Sequence, residues 1–119
     1  MIIGIGIDLI ELNRIERLLR RQPRFVERVL TERERERNRM LSQKRQVEYV
    51  AGRFAAKEAF SKAVGTGISE AYSWQDIEVL NEANGQPVLR ANVDATVHIS
   101  ISHSESYAIA QVILERLSS

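Results

Sequence analysis

The sequence predicts an α+β fold in which a mostly antiparallel sheet packs on one long helix. Three observations support this prediction: an alternating Ile-Gly run opens the chain, an apolar stripe at helical spacing extends from about residue 43 to 64, and alternating segments follow. An order of strand, helices and then strands is typical of the α+β class. At 119 residues the chain is long enough for one core, so a single domain over 1–119 is expected.

The N-terminal part is predicted to form one strand and three short helices. Residues 2–8, "IIGIGID", fit a buried strand whose glycines mark the close approach of a backbone or ligand. "LIELNRIERLLRR" has helical spacing, and Pro23 breaks or restarts that helix before "RFVERVL". Thr31 and Glu34 match a capping box that opens "ERERERNRM", a helix charged on all sides and therefore expected to be solvated.

The long helix is predicted over about Gln43 to Val64, with Gly65 as its left-handed cap. "GISEAYS" is predicted to be a loop. Strands are expected in "SWQDIEVL" and "PVLRA", on either side of the turn "NEANGQP", and in "TVHISIS" and "YAIAQVILE", on either side of "HSES".

Composition excludes several classes of protein. A hydrophobic fraction of 44% and a charged fraction of 28% are those of a soluble globular protein. No apolar run approaches the roughly 20 residues of a membrane helix, and the first residues lack the features of a signal peptide. The chain has no cysteine, which excludes disulfides, thiolate metal sites and cysteine nucleophiles and is consistent with the cytoplasm.

Positive charge is concentrated near the first helices. Between residues 14 and 28 there are six arginines and two glutamates, and most of the arginines step by 3 or 4 residues. Such a stripe is most often a solvated surface. An acidic protein helix would fit it through bidentate contacts, with Phe25 as an adjacent apolar anchor. Nucleic acid is disfavoured by the net charge of +1 and by the few aromatic residues.

Asp8, Glu58 and Lys62 are the first candidates for chemistry. Glu58 lies near the C-terminal end of the long helix, where a carboxylate opposes the helix dipole and needs a partner. Lys62, four residues later, can form a surface ion pair with it, worth roughly 0.3–0.5 kcal/mol. The alternative is a Mg²⁺ site, in which few carboxylates combine with phosphate oxygens and water. The residues alone do not choose between the two, nor do they pair Asp8 with Glu58.

Other motifs are weaker. The strand "HISIS" places His103 on its apolar face, where a half-buried structural histidine is the more common interpretation. "SHS" lacks the glycines of a nucleophile elbow, so a hydrolase triad is poorly supported. "GIGIDL" lacks the third glycine of a dinucleotide-binding motif. "GTG" follows the C-terminal end of a helix, whereas a phosphate loop precedes the N-terminal end.

Three segments together resemble the bacterial holo-acyl-carrier-protein synthases, which are small phosphopantetheinyl transferases. They are "GIGIDLIELNRI" at 4–15, "GRFAAKEAFSKAVGTG" at 52–67 and "VHISISHSESYAIAQVILE" at 97–115. "FAAKEAFSKA" followed by "GTG" is the most specific of these motifs, and the resemblance covers nearly the whole chain in family order.

The resemblance implies an enzyme that transfers 4′-phosphopantetheine from coenzyme A to a serine of apo-acyl carrier protein. Adenosine 3′,5′-bisphosphate is released, Mg²⁺ is required, and the product serves fatty acid biosynthesis. Asp8 and Glu58 match the metal carboxylates. Glu58 is the candidate base, with His103 as the second candidate, and Lys62 is the candidate phosphate ligand. Coenzyme A contacts are expected from Lys44, Arg53, Lys57, Lys62, Gly65, Ser102 and His103.

The resemblance also implies partners. The carrier protein's acidic helix would dock on Arg14, Arg21, Arg24, Phe25 and Arg28, and the family forms homotrimers with each active site at a subunit interface. No nucleic acid or membrane partner is expected. The alternative class is a non-catalytic module whose basic helix captures an acidic protein or nucleic acid. The two differ at Glu58, which only the enzyme requires.

Overall fold

The computed structural model describes residues 1–117 and has the predicted order of elements. The last two residues of the predicted domain lie outside the described residues. The elements are β1 (Ile2–Glu11), α1 (Leu12–Arg21), α2 (Phe25–Val29), α3 (Glu32–Arg39), α4 (Gln43–Val64), a 3₁₀ turn (Trp74–Asp76), β2 (Glu78–Asn81), β3 (Pro87–Arg90), β4 (Thr96–His103) and β5 (Tyr107–Glu115).

The strands form two antiparallel sheets. β5 is the centre of a three-stranded sheet with β1 on one side and β4 on the other, while β2 and β3 form a separate hairpin. The inner residues of β5 are buried against α4, whereas Tyr107 and Ile109 face outward. The predicted α+β class with antiparallel strands on a long helix is therefore confirmed.

The boundaries of α4 agree with the prediction from local signals. The Ser42 hydroxyl accepts a hydrogen bond from the Arg45 amide at the N-terminus, and Gly65 adopts φ 98° at the C-terminus. The Ser61 carbonyl oxygen accepts from the amides of residues 65, 66 and 67, which closes the last turn. These caps fix where the helix ends and hence where Glu58 and Lys62 lie.

Glycines in β1 permit an unusually close approach to α4. A Cβ atom on Gly4 would clash with the Ala63 carbonyl oxygen, and one on Gly6 would clash with that of Ala59. Backbone cannot move aside as a side chain can, so the approach requires glycine at both positions. Asp8, two residues after Gly6 and on the same side of the strand, is thereby held against the helix.

Several predictions about individual elements are wrong in part. β1 continues past residue 8 to Glu11, and its outward-facing side chains, such as Ile5 and Ile7, are exposed rather than buried. "SWQDIEVL" is not one strand, because the Ser73 and Asp76 side chains cap a 3₁₀ turn and β2 begins only at Glu78. The charged helix α3 does have the predicted Thr31–Glu34 capping box, but Glu34 is fully buried rather than solvated. Within residues 1–117, no helix combines the length and hydropathy needed to cross a membrane.

Candidate active site

Asp8 and Lys62 form an ion pair between β1 and α4. The Lys62 Nζ atom donates to Asp8 Oδ1 at 2.9 Å and to the Ile7 carbonyl oxygen at 3.0 Å. The Lys62 side chain is 50% exposed and that of Asp8 only 15%. Among the residues that the structure describes, the lysine has no ion pair with Glu58, so the predicted surface pair gives way to one across two elements.

Glu58 is half-buried one helical turn before Lys62, which places the two side chains on the same face of α4. Burial raises the pKa of Glu58 above its usual value, the nearby Asp8 carboxylate raises it further, and Lys62 opposes the rise. The site therefore gathers two carboxylates that repel each other and a single ammonium group. This arrangement favours an additional cation between the carboxylates.

The donor set suits Mg²⁺. The two carboxylates offer oxygen ligands, and within residues 1–117 no cluster of three or more His, Asp or Glu residues forms a complete cage. Mg²⁺ is usually held by one or two carboxylates, with water and substrate phosphates completing its shell. Asp8 and Glu58 would hold the ion, which would neutralise phosphate oxygens.

Arg53 and His103 line a different pocket, where three arginines outnumber two glutamates. The Arg53 guanidinium lies over the Tyr49 ring, with 4.0 Å between its central carbon and the ring centroid, and it donates to the Val79 carbonyl oxygen. His103 Nδ1 is 3.9 Å from Glu48 Oε2. Two further arginines, one from α3 and one from α4, line the same pocket: Arg37 and Arg45. Such a set is suited to a phosphorylated nucleotide.

The two groups of residues lie on different sides of α4. Arg53 and Glu58 are five residues apart, which separates them by about 140° around the helix and about 7.5 Å along it. One chain therefore presents a carboxylate–lysine cluster and a separate cationic pocket.

Lys57, predicted to contact coenzyme A, lies in the core of the fold. Its side chain is fully buried, and Nζ donates to Glu34 Oε1 at 2.7 Å, to the Val29 carbonyl oxygen at 2.7 Å and to the Trp74 carbonyl oxygen at 3.0 Å. Burial lowers the pKa of Lys57, and the Glu34 carboxylate opposes this. All three N–H donors of the ammonium have partners within the core, so none is left for a phosphate.

The remaining predicted contacts lie at separate places. Lys44 is exposed in a groove between α1 and the start of α4 that His103 also lines. Ser102 pairs with Ile109 on the outer face of the sheet, opposite to His103. Gly65 is exposed at the end of α4, one turn beyond Ser61. The structure therefore does not bring these three together.

The basic surface spans two helices. Arg14, Arg17 and Arg21 are exposed and lie within about 60° of one another on α1. Arg24 and Arg28 are exposed after the break at Pro23. Phe25 is only 6% exposed and its ring lies 6.1 Å from that of Phe54, so it packs in the core beneath these arginines. Its role in docking stays a prediction.

The sequence interpretation missed Arg37, Arg45 and Glu34. Arg37 and Arg45 carried no signal, since Arg37 lies in a run of charged residues and Arg45 belongs to no motif. Glu34 did carry a sequence signal, because its place in the capping box identified a specific role at the N-terminus of α3. The same carboxylate serves the box and the buried lysine, accepting from the Thr31 amide through Oε1 and from the Val79 amide through Oε2.

Comparison with known proteins shows the family of this chain. The model of the 4′-phosphopantetheinyl transferase superfamily matches residues 4–112. A holo-[acyl-carrier-protein] synthase of Halalkalibacterium halodurans is 65% identical, over the whole of both chains. That of Anoxybacillus flavithermus is 58% identical, again over the whole of both. The chain belongs to this superfamily and, within it, to the holo-[acyl-carrier-protein] synthases.

Solved structures show the same fold. A holo-(acyl-carrier-protein) synthase from Bacillus anthracis, in complex with CoA (3′,5′-ADP), is 57% identical with a TM-score of 0.93, covering 98% of each chain. One from Helicobacter pylori, in complex with coenzyme A, is 32% identical with a TM-score of 0.82, covering 93% of this chain and 99% of the other.

Proposed function

We propose that the protein transfers 4′-phosphopantetheine from coenzyme A to the acceptor serine of apo-acyl carrier protein, releasing adenosine 3′,5′-bisphosphate. The observation that carries the proposal is the cluster of Asp8, Glu58 and Lys62 in a chain of this family. The carboxylates suit a divalent cation and the lysine suits phosphate. We place the reaction in fatty acid biosynthesis and in the cytoplasm.

The chemistry is a displacement at phosphorus. The serine oxygen of the carrier forms a bond to the phosphorus that bears the pantetheine arm. The bond from that phosphorus to the bridging oxygen breaks, and its electron pair leaves with the bisphosphate. The serine proton passes to the Glu58 carboxylate, directly or through one water, and His103 is the second candidate for this base. Mg²⁺, when bound by Asp8 and Glu58, would offset charge on the phosphates.

The chain supplies positioning more than covalent chemistry. Lys62 would bind the pyrophosphate once its ammonium is freed from Asp8, and Arg53 and His103 would bind the nucleotide end of coenzyme A with Arg37 and Arg45. Lys44, Ser102 and Gly65 are proposed as peripheral contacts. The nucleophile belongs to the carrier protein, which accounts for the lack of a nucleophile elbow in this sequence.

A homotrimer would complete the site. The carboxylate cluster and the cationic pocket lie on different sides of one chain, so a single coenzyme A would contact both if a second copy presented its pocket to these carboxylates. The outer face of the three-stranded sheet supports such packing, because it exposes large apolar side chains: Ile5, Ile7, Leu9 and Ile109.

The direct test is intact-protein mass spectrometry of an apo-acyl carrier protein after incubation with this protein, coenzyme A and Mg²⁺. We expect the carrier to gain the mass of one phosphopantetheine, and we expect EDTA to prevent the gain. Absence of the gain, with a carrier that another synthase can modify, would reject the transferase and favour a binding module.

Replacing Arg14 with glutamate should weaken carrier binding by about 10-fold or more at low salt. The arginine is exposed on the surface formed with Arg17 and Arg21, and charge complementarity steers association. Affinity would be measured by surface plasmon resonance at two salt concentrations. Arg116→Glu is the matched control, since Arg116 is an exposed arginine beyond β5, away from α1 and α2. Equal carrier affinities for the Arg14 variant and the parent at low salt would contradict the docking surface.

A further inference from the structure

We propose that Lys62 is an internal competitor of the metal: its ammonium holds the Asp8 carboxylate until a divalent cation displaces it, and the displaced ammonium then binds phosphate. This inference rests on the proposed function and adds a coupling between metal and coenzyme A. It assigns Lys62 two partners in succession.

The contacts of Lys62 place its ammonium where it opposes a cation. Nζ is 2.9 Å from Asp8 Oδ1 and 3.0 Å from the Ile7 carbonyl oxygen. A metal ion on this carboxylate would lie within a few ångströms of a positive charge that two acceptors hold in place. Like charges at that distance repel, so a cation on Asp8 weakens the hold of the ammonium on Oδ1, and the ammonium in turn weakens binding of the cation.

The relative exposure of the two side chains decides which group moves. The Lys62 side chain is 50% exposed and that of Asp8 is 15% exposed. The lysine has a long flexible stem and reaches solvent, whereas Asp8 is held by β1, which the glycines at 4 and 6 press against α4. The ammonium therefore moves away and the carboxylate stays.

Displacement links the two ligands thermodynamically. A metal that frees Lys62 leaves its ammonium without a partner, and the pyrophosphate of coenzyme A supplies one. Coenzyme A thus lowers the cost of metal binding, and by reciprocity the metal tightens coenzyme A by the same factor. Removing the ammonium should make metal binding tighter in the absence of coenzyme A and should make the coupling smaller.

The test is Mn²⁺ titration followed by electron paramagnetic resonance, without coenzyme A, on the full chain and on Lys62→Met. We expect the variant to bind Mn²⁺ about 5–50-fold more tightly, within the usual range of coupling between two ligands. Arg90→Met is the control for net charge, since Arg90 is an exposed arginine on β3, and we expect no change from it. Asp8→Asn in the Lys62→Met background should remove the tight binding.

Several results would overturn the proposal. Equal or weaker Mn²⁺ affinity in Lys62→Met would do so, as would a lack of measurable binding in both proteins. A tightening that disappears at 0.5 M KCl would indicate a screened long-range field instead of contact competition, and this would also reject it.

A second readout follows Lys62 itself. The chain has only three lysines, Lys44, Lys57 and Lys62, so a protein labelled with ¹³C-lysine gives a simple spectrum. Adding Mg²⁺ should shift the Lys62 Cε resonance and leave that of buried Lys57 in place. An unchanged Lys62 signal at saturating Mg²⁺ would reject displacement. Neither readout depends on turnover, so failure of the transfer assay with wild-type protein is separable from failure of this proposal.

Discussion

Replacing Glu58 with glutamine is expected to abolish phosphopantetheine transfer while leaving the protein folded. Glutamine retains the size of the side chain but removes the negative charge that would hold Mg²⁺ with Asp8 and accept the serine proton. Loss of general base catalysis alone typically lowers rates by about 10²–10⁴-fold, and loss of a metal ligand adds to this. The rate would be followed by mass spectrometry of the carrier protein at saturating Mg²⁺.

The fold should tolerate this change. Glu58 is half-buried, and its pKa is raised by burial and by Asp8, so the ionised carboxylate is not stabilised by its surroundings. Removing its charge relieves repulsion, and the thermal midpoint should stay equal or rise. Glu36→Gln, at an exposed position on α3, is the matched control and should retain full transfer. Near-normal turnover of Glu58→Gln would remove Glu58 from the metal site and from the role of base.

The helix that carries the site could be predicted from sequence because its signals are local. The Gly65 cap and the apolar stripe fix the end of α4, and the observed bounds Gln43–Val64 agree with the prediction. The capping box of α3 was found for the same reason, since Thr31 and Glu34 are three residues apart. These features depend on neighbours within one or two turns.

The environment of the charged residues could not be predicted in the same way. Lys62 pairs with Asp8, 54 residues away, although the local rule paired it with Glu58. Glu34 looked solvated because it lies in a charged run, yet its partners Lys57 and Val79 are 23 and 45 residues further along the chain. Tertiary packing decides such contacts. The pairing of Asp8 with Glu58 rested on the family resemblance for this reason.

Replacing Lys57 with methionine should destabilise the protein by about 3–5 kcal/mol, the usual cost of removing one partner of a buried ion pair. The Lys57 ammonium connects α4, which carries it, to three other elements. It donates to Glu34 of α3, to the Val29 carbonyl oxygen at the end of α2 and to the Trp74 carbonyl oxygen of the 3₁₀ turn. Methionine fills similar space but leaves a buried carboxylate without its counter-charge and two carbonyl oxygens without donors. The measurement is urea unfolding at fixed protein concentration, since assembly would contribute to stability.

Lys44→Met is the matched control, because it makes the same substitution on the same helix at an exposed position and should change stability by less than about 0.5 kcal/mol. The double variant Lys57→Met/Glu34→Met removes both charges. It should be less destabilised than the sum of the two single variants, because neither charge is then left buried alone. A Lys57→Met protein as stable as the parent would mean that the ammonium is dispensable in the core. That outcome would favour the predicted role of Lys57 as a coenzyme A contact, against which its burial and its three acceptors argue.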